Sequence, residues 1–184
     1  MSSSRHLISR IVRPIGADRR GAVIIEFAIC SAAFMALLIA CAQTVMIFFT
    51  QQALQTAAES GARYIMTGQA SRATMTVAQF RTYACAQMPP LVDCSKLIVD
   101  VRTAASFDAI DSGDASKTVT FDSSGNNNNS WEFSTGATEA IMIVRVMYLW
   151  DVRAGPLNLD FSNAGRGKRL LIGTMVFKSE AYKA

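Results

Sequence analysis

Glu26 is a carboxylate set at the start of an apolar run, where an acid is out of place. From Phe27 to Phe49 the chain has no charge, no glycine and no proline. Burying an acid near the end of such a segment costs about 2–3 kcal/mol, so the carboxylate should have a partner or a use. If the chain were cut between Gly21 and Ala22, the new α-amine of one copy could pair with Glu26 of a neighbour and fix the stagger between their helices. Other reactive side chains are few. The sole histidine, His6, lies in a basic N-terminal stretch. There is no Gly-rich phosphate loop, no nucleophile placed with a histidine and no zinc-ligand spacing, so no catalytic residue, cofactor or metal site is expected. Asp108, Asp111 and Asp114 lie in a Ser/Gly-containing stretch but lack the ligand spacing and terminal Glu of an EF-hand, and read as a solvated loop.

The elements that would position Glu26 follow from the hydropathy pattern. Residues 1–21 carry five arginines and one aspartate, a net +4, which equals the formal charge of the whole chain. The remainder is neutral, which removes the main support for a nucleic-acid partner. This stretch reads as a basic leader, and its charge predicts a cytoplasmic N-terminus with the rest sent outward. Residues 22–49 form a helix long enough to cross a hydrocarbon core of about 30 Å. After Thr50 the pattern turns amphipathic. Leu54, Ala57, Ala58, Ala62 and Ile65 share one face, while Gln51, Gln55, Glu59 and Arg63 lie on the more exposed side. The helix is expected to run to about Thr67, with Gly61 marking close packing and Gly68 a C-cap.

Residues 50–184 read as an exported head. Thr76 to Met88 is expected as a second helix ended by Pro89-Pro90. Leu97–Val101, Lys117–Asp122, Ile141–Trp150 and Leu170–Lys178 are expected as strands, the third covered by the helix on one face and partly exposed on the other. Ser123–Ser130, with four consecutive asparagines, reads as a loop, and its Asn128-Asn129-Ser130 formally fits a glycosylation acceptor. Gly155-Pro156 breaks a strand, and Gly165 to Arg169 forms a basic turn. Cys30 and Cys41 lie in the apolar run. Cys85 and Cys94, on either side of the proline pair, suit a short disulfide in an exported domain, the alternative being two reduced, packed thiols.

Gly21, then four residues, then Glu26-Phe27 after a short basic leader resembles the processing site of type IV pilin-like proteins. Gln51 through Arg63 resembles the helix that follows the membrane segment in the TadE-like pseudopilins of tight-adherence (Flp) pilus systems. Val144–Tyr148, Pro156 and Val176–Tyr182 resemble that family's closing strands. The family often carries proline where this chain has Ala32, and a second acid where it has Gln43. The resemblance implies a pilin-like α+β fold, in which a long N-terminal transmembrane helix continues into a helix packed on a small antiparallel sheet. It implies a minor pseudopilin that is not an enzyme, cut by a prepilin peptidase between Gly21 and Ala22, with Glu26 and Phe27 serving recognition and assembly. It further implies an inner-membrane protein with a periplasmic head, whose partners are other pilins or pseudopilins, Tad assembly components and membrane lipid, and which can remain associated with the pilus.

Two other readings compete. Leu38-Ile39-Ala40-Cys41 fits a loose lipobox and would make a periplasmic lipoprotein, with cleavage after Ala42 as a related route to a soluble domain. An uncleaved signal anchor is the other, with Glu26 satisfied at the interface by Arg19 or Arg20.

Overall fold

The computed structural model describes residues 20–111, 118–122, 127–152, 160–164 and 167–181, with Arg20 and Asp111 described by backbone alone. The leader up to Arg19, Asp114, Gly155-Pro156, Gly165-Arg166 and Tyr182 lie outside the described residues. The architecture is α+β: a long N-terminal helix and a three-stranded antiparallel sheet.

Helix α1 is unbroken from Arg20 to Met66, 47 residues, or about 70 Å at the α-helical rise. Its two halves differ in what they touch. In the first, Val23, Ile24, Ile25, Phe27 and Ile29 are exposed. In the second, Ile47, Thr50, Leu54, Ala57, Ala58, Ala62 and Ile65 are buried, a stripe at the three- and four-residue spacing of one helix face. The small side chains on that stripe let the helix lie close to its neighbours. A Cβ on Gly61 would overlap the Phe80 ring, which bears out the expectation of close packing there. Gly68, at φ 72°, takes the left-handed conformation that ends the helix.

A four-residue helix, α2 (Gln69–Arg72), leads to α3 (Val77–Cys85). Thr76 starts α3 with a reciprocal capping box to Gln79, so two otherwise orphaned N–H groups are satisfied at once. A disulfide joins Cys85 to Cys94 across the proline pair, with 5.7 Å between Cα atoms. A 3-10 turn at Cys94–Lys96 then feeds the sheet.

The sheet order is β1 (Ile98–Ala104), β2 (Ile141–Asp151), β3 (Lys168–Lys178). β2 is central, and Val99, Val101, Met142, Val144, Val146, Leu171 and Phe177 form the core with α1 and α3. Gly173 is paired with Val146 and sits directly under the Leu54 carbonyl, where a Cβ would collide with helix backbone. This contact fixes how near α1 lies to β3.

The structure corrects three expectations. The far face of β2 is partly exposed only toward its ends, at Ile141 and Leu149, while Ile143, Arg145 and Met147 between them are buried. The stretch holding Asp108 is not wholly loop: it includes a short helix, α4 (Phe107–Asp111). Residues 118–122 form no strand, only a single bridge from Phe121 to Asn127. Asparagine amides take the place of a ladder there. Asn129 accepts from the Thr120 N–H at 2.7 Å and donates to the Thr118 carbonyl at 3.0 Å. The run of asparagines thus closes a turn by side-chain bonding of the kind that competes with regular strand pairing.

Candidate assembly site

Gly21, Ala22, Glu26 and Phe27 occupy the first turns of α1, at the end remote from the sheet. Phe27 is 73% exposed, and among the described residues nothing bonds the Glu26 carboxylate. Nothing lies within 4 Å of a Cβ built on Gly21. The surrounding surface is a continuous apolar sheath running to Phe49. A patch of that size is not stable against water, so this half of the helix must be covered by lipid or by protein. By length and composition it is able to cross a membrane.

The head grips the other half. Gln51 Nε2 donates to the Ile172 carbonyl at 2.7 Å. Gln55 donates to the Thr174 carbonyl at 3.1 Å and accepts from the Thr174 N–H at 3.2 Å. Helix and sheet are therefore joined by directed polar contacts as well as by the apolar stripe. α1 is unbroken between the two halves, so one helix carries Glu26 near one end and these contacts to β3 toward the other. Cys85 and Cys94 lie apart from this end of the molecule, beside α3 and the start of the sheet.

On the sheet face away from α1, Asp100 is fully buried between two arginines. Arg145 binds its Oδ2 through Nη2 at 2.5 Å and Nε at 3.1 Å, and Arg102 Nε binds Oδ1 at 2.7 Å. The same Oδ1 accepts the Glu132 N–H at 3.0 Å. The Arg145 guanidinium packs over the Trp131 ring, 5.6 Å from its centroid. This constellation holds the 131–134 segment, which follows the asparagine turn, along the outer side of β1. With both carboxylate oxygens engaged, it has the character of a structural clamp.

Sequence reasoning singled out Gly21 to Phe27, but it missed the contacts of Gln51, Gln55 and Gly173 with the sheet or helix backbone and the pairing of Asp100 with Arg145. A signal for the pair was present, since each is a charge set among apolar neighbours, Asp100 between Val99 and Val101 and Arg145 between Val144 and Val146.

Residues 21–63 match the family model described as TadE-like protein. No curated protein and no solved structure matches the chain. The match begins at the glycine before the apolar sheath and ends three residues short of the end of α1, so it covers both the exposed half and the gripping half. Over that helix the chain is similar to the TadE-like family, the similarity its sequence implied.

Proposed function

We propose that the protein is a minor pseudopilin of a tight-adherence pilus system, held in the inner membrane by residues 22–49 and carrying its head, from residue 50, on the periplasmic side. The observation that carries this reading is the coincidence of the TadE-like match with a single helix that is bare at one end and clamped to a sheet at the other. A prepilin peptidase removes the leader after Gly21. The freed amine of Ala22 and the Glu26 carboxylate then give each subunit one positive and one negative group near the helix tip. Pairing them between neighbours offsets the burial of both. Phe27 completes the recognition pattern. The head, rigidly continuous with the helix, contacts other pilus subunits as the fibre is initiated or exported.

Intact mass and N-terminal sequencing of the chain recovered from membranes of cells carrying the matching peptidase tests this directly. Expected is a chain starting at Ala22. A start at lipidated Cys41, at Gln43, or at Met1 would instead mean a lipoprotein, a released domain or a plain signal anchor. Among variants, Gly21→Ala should block maturation and Glu26→Ala should mature normally but fail in assembly.

A further inference from the structure

The head starts lower along α1, nearer Glu26, than the apolar sheath ends. Gln51 bonds the Ile172 carbonyl, and Ile172 is paired with Met147. Asp151 lies four residues further along β2, about 13 Å of strand, which equals about nine residues of helix and reaches the level of Ala42. Ala42 and Gln43 indeed face Trp150, Asp151 and Val152 across one open cavity, which puts the strand end at that height. On its other faces α1 stays bare and apolar further up, with Val45, Phe48 and Phe49 all more than half exposed. Counted from Phe27, a hydrocarbon core of about 30 Å takes up about twenty residues and ends near Ile47. The end of β2 therefore lies about 7 Å below that boundary. This is the depth of elements that lie in a membrane surface, with apolar side chains among the upper acyl chains and charges at the headgroups.

The side chains at this end of the head suit that depth. Leu91 is 64% exposed. Its stretch is tied to the end of the sheet twice, by the Asp93 N–H donating to the Tyr148 hydroxyl at 3.3 Å and by Lys96 meeting Asp151 at 3.5 Å. Trp150 and Val152 are half-buried, and the Trp150 ring leans on Tyr148. Lys168 and Arg169 stand opposite Asp151 and Trp150 in the strand register. Two acids at this end, Asp93 and Asp151, are engaged by Ser95 and Lys96. Aliphatic, aromatic and long cationic side chains together are the set that anchors protein at a bilayer surface, since the rings and cations carry an apolar body with a polar end.

We infer that the foot of the head is a second attachment to the membrane, in which the stretch around Leu91, with Trp150 and Val152, seats in the interfacial layer of the phospholipid leaflet on the head's side. Leu91 enters among the upper acyl chains, and Lys96 and Lys168 lie at the level of the phosphates. The head is thus held at two places, by α1 and by its foot, and rests on the bilayer instead of standing clear on a stalk. This inference rests on the reading of residues 22–49 as a membrane span.

The test uses the full chain in phosphatidylcholine vesicles whose acyl chains are brominated either near the carbonyl end or near the methyl end, with tryptophan quenching as the readout. The chain has two tryptophans, and Trp131 packs on Arg145 across the sheet from α1, so Trp150→Phe leaves a constant background. Into that background go Leu91→Trp at the foot, Phe34→Trp in the span, and Val77→Trp, about one turn beyond the Phe80 ring that packs at the level of Gly61. Expected for Leu91→Trp is quenching about twice as strong from the shallow bromines as from the deep ones, as befits an interfacial depth. Val77→Trp should not respond. Trp150 itself, read as the difference between the unaltered chain and Trp150→Phe, should show the same shallow preference, so the result does not hang on an added ring. A foot reporter that is unquenched, that prefers the deep bromines, or that responds no more than Val77→Trp overturns the attachment, while quenching of Phe34→Trp keeps the span. A Phe34→Trp that neither lipid quenches overturns span and foot together.

Discussion

The Gln55 side-chain amide lies along the backbone of Thr174 and bonds it as a neighbouring strand would, donating to its carbonyl and accepting from its N–H. Asn163 bonds Leu170 in the same way, and Gln51 donates to the Ile172 carbonyl. The outward-facing carbonyls of β3 at 170, 172 and 174, and the N–H groups at 170 and 174, are thereby occupied. An edge strand with free N–H and C=O groups is a template for unwanted pairing. Here the helix that carries the head also closes its sheet.

Replacing both glutamines by leucine should therefore do two things. Hydrogen exchange at the Thr174 amide should quicken by at least tenfold, and each lost cap should cost about 1 kcal/mol. The head should also self-associate, seen as a rise in light scattering with concentration. Unchanged exchange at Thr174 would mean that the caps are incidental.

Gly173 is expected to be the least replaceable residue of β3. A Cβ there meets the carbonyl of Leu54, which is backbone and cannot swing aside. Gly173→Ala should destabilise the head by about 3 kcal/mol by pushing helix from sheet. At Gly61 the obstacle is the Phe80 ring, which can be trimmed, so Gly61→Ala should be partly rescued by Phe80→Leu. Thermal melts of the two singles and the double give the coupling.

Much of this arrangement is legible in the sequence because periodicity reports burial. The stripe from Leu54 to Ile65, the capped helix before Pro89 and the alternation in Ile141–Trp150 all became the elements they imply. Residues 118–122 failed that rule. Val119 and Phe121 alternate, but the nearby asparagines supply bonding that no hydropathy pattern registers. Gln51 and Gln55 were legible only as polar positions beside an apolar stripe. That they face a strand edge depends on the crossing of α1 over β3, which is a tertiary relation set by Gly173. The burial at the centre of β2's far face was misjudged because its charge, Arg145, is buried by pairing with Asp100, and local periodicity does not say which of two charges 45 residues apart will meet.

Breaking that pair should be costly. Arg145→Met leaves Asp100 buried and bound through Oδ1 alone, by Arg102 and the Glu132 N–H, and Asp100→Ala removes the carboxylate that the buried Arg145 binds. Each single change should cost about 3–5 kcal/mol, whereas replacing both by apolar residues should cost much less than the sum. Trp131 emission reports the local consequence. It should shift red in either single variant as the 131–134 segment detaches.

The Cys85–Cys94 link closes a short loop, with a sequence separation of nine. Loop-closure entropy predicts about 2–3 kcal/mol of stabilisation from so short a ring. Cys85→Ser with Cys94→Ser should lower the head's denaturation midpoint accordingly, and reductant should lower that of the unaltered chain and leave that of the variant unchanged.

Asp93 supplies a pH-dependent contribution at the turn before β1. Its carboxylate accepts the Ser95 hydroxyl at 2.7 Å and the Ser95 N–H at 3.0 Å, and these bonds hold its pKa below the ordinary 3.8. A depressed folded value means that the unfolded chain binds the proton more readily. The contribution is therefore complete above the unfolded pKa and is lost as pH falls through the folded one. Asp93→Asn should lower Tm by a constant amount from pH 7 down to about pH 5. Below pH 4 the gap to the unaltered chain should shrink toward zero. Calorimetry across that range decides the matter: a gap independent of pH would mean that Asp93 acts through shape and not through its charge.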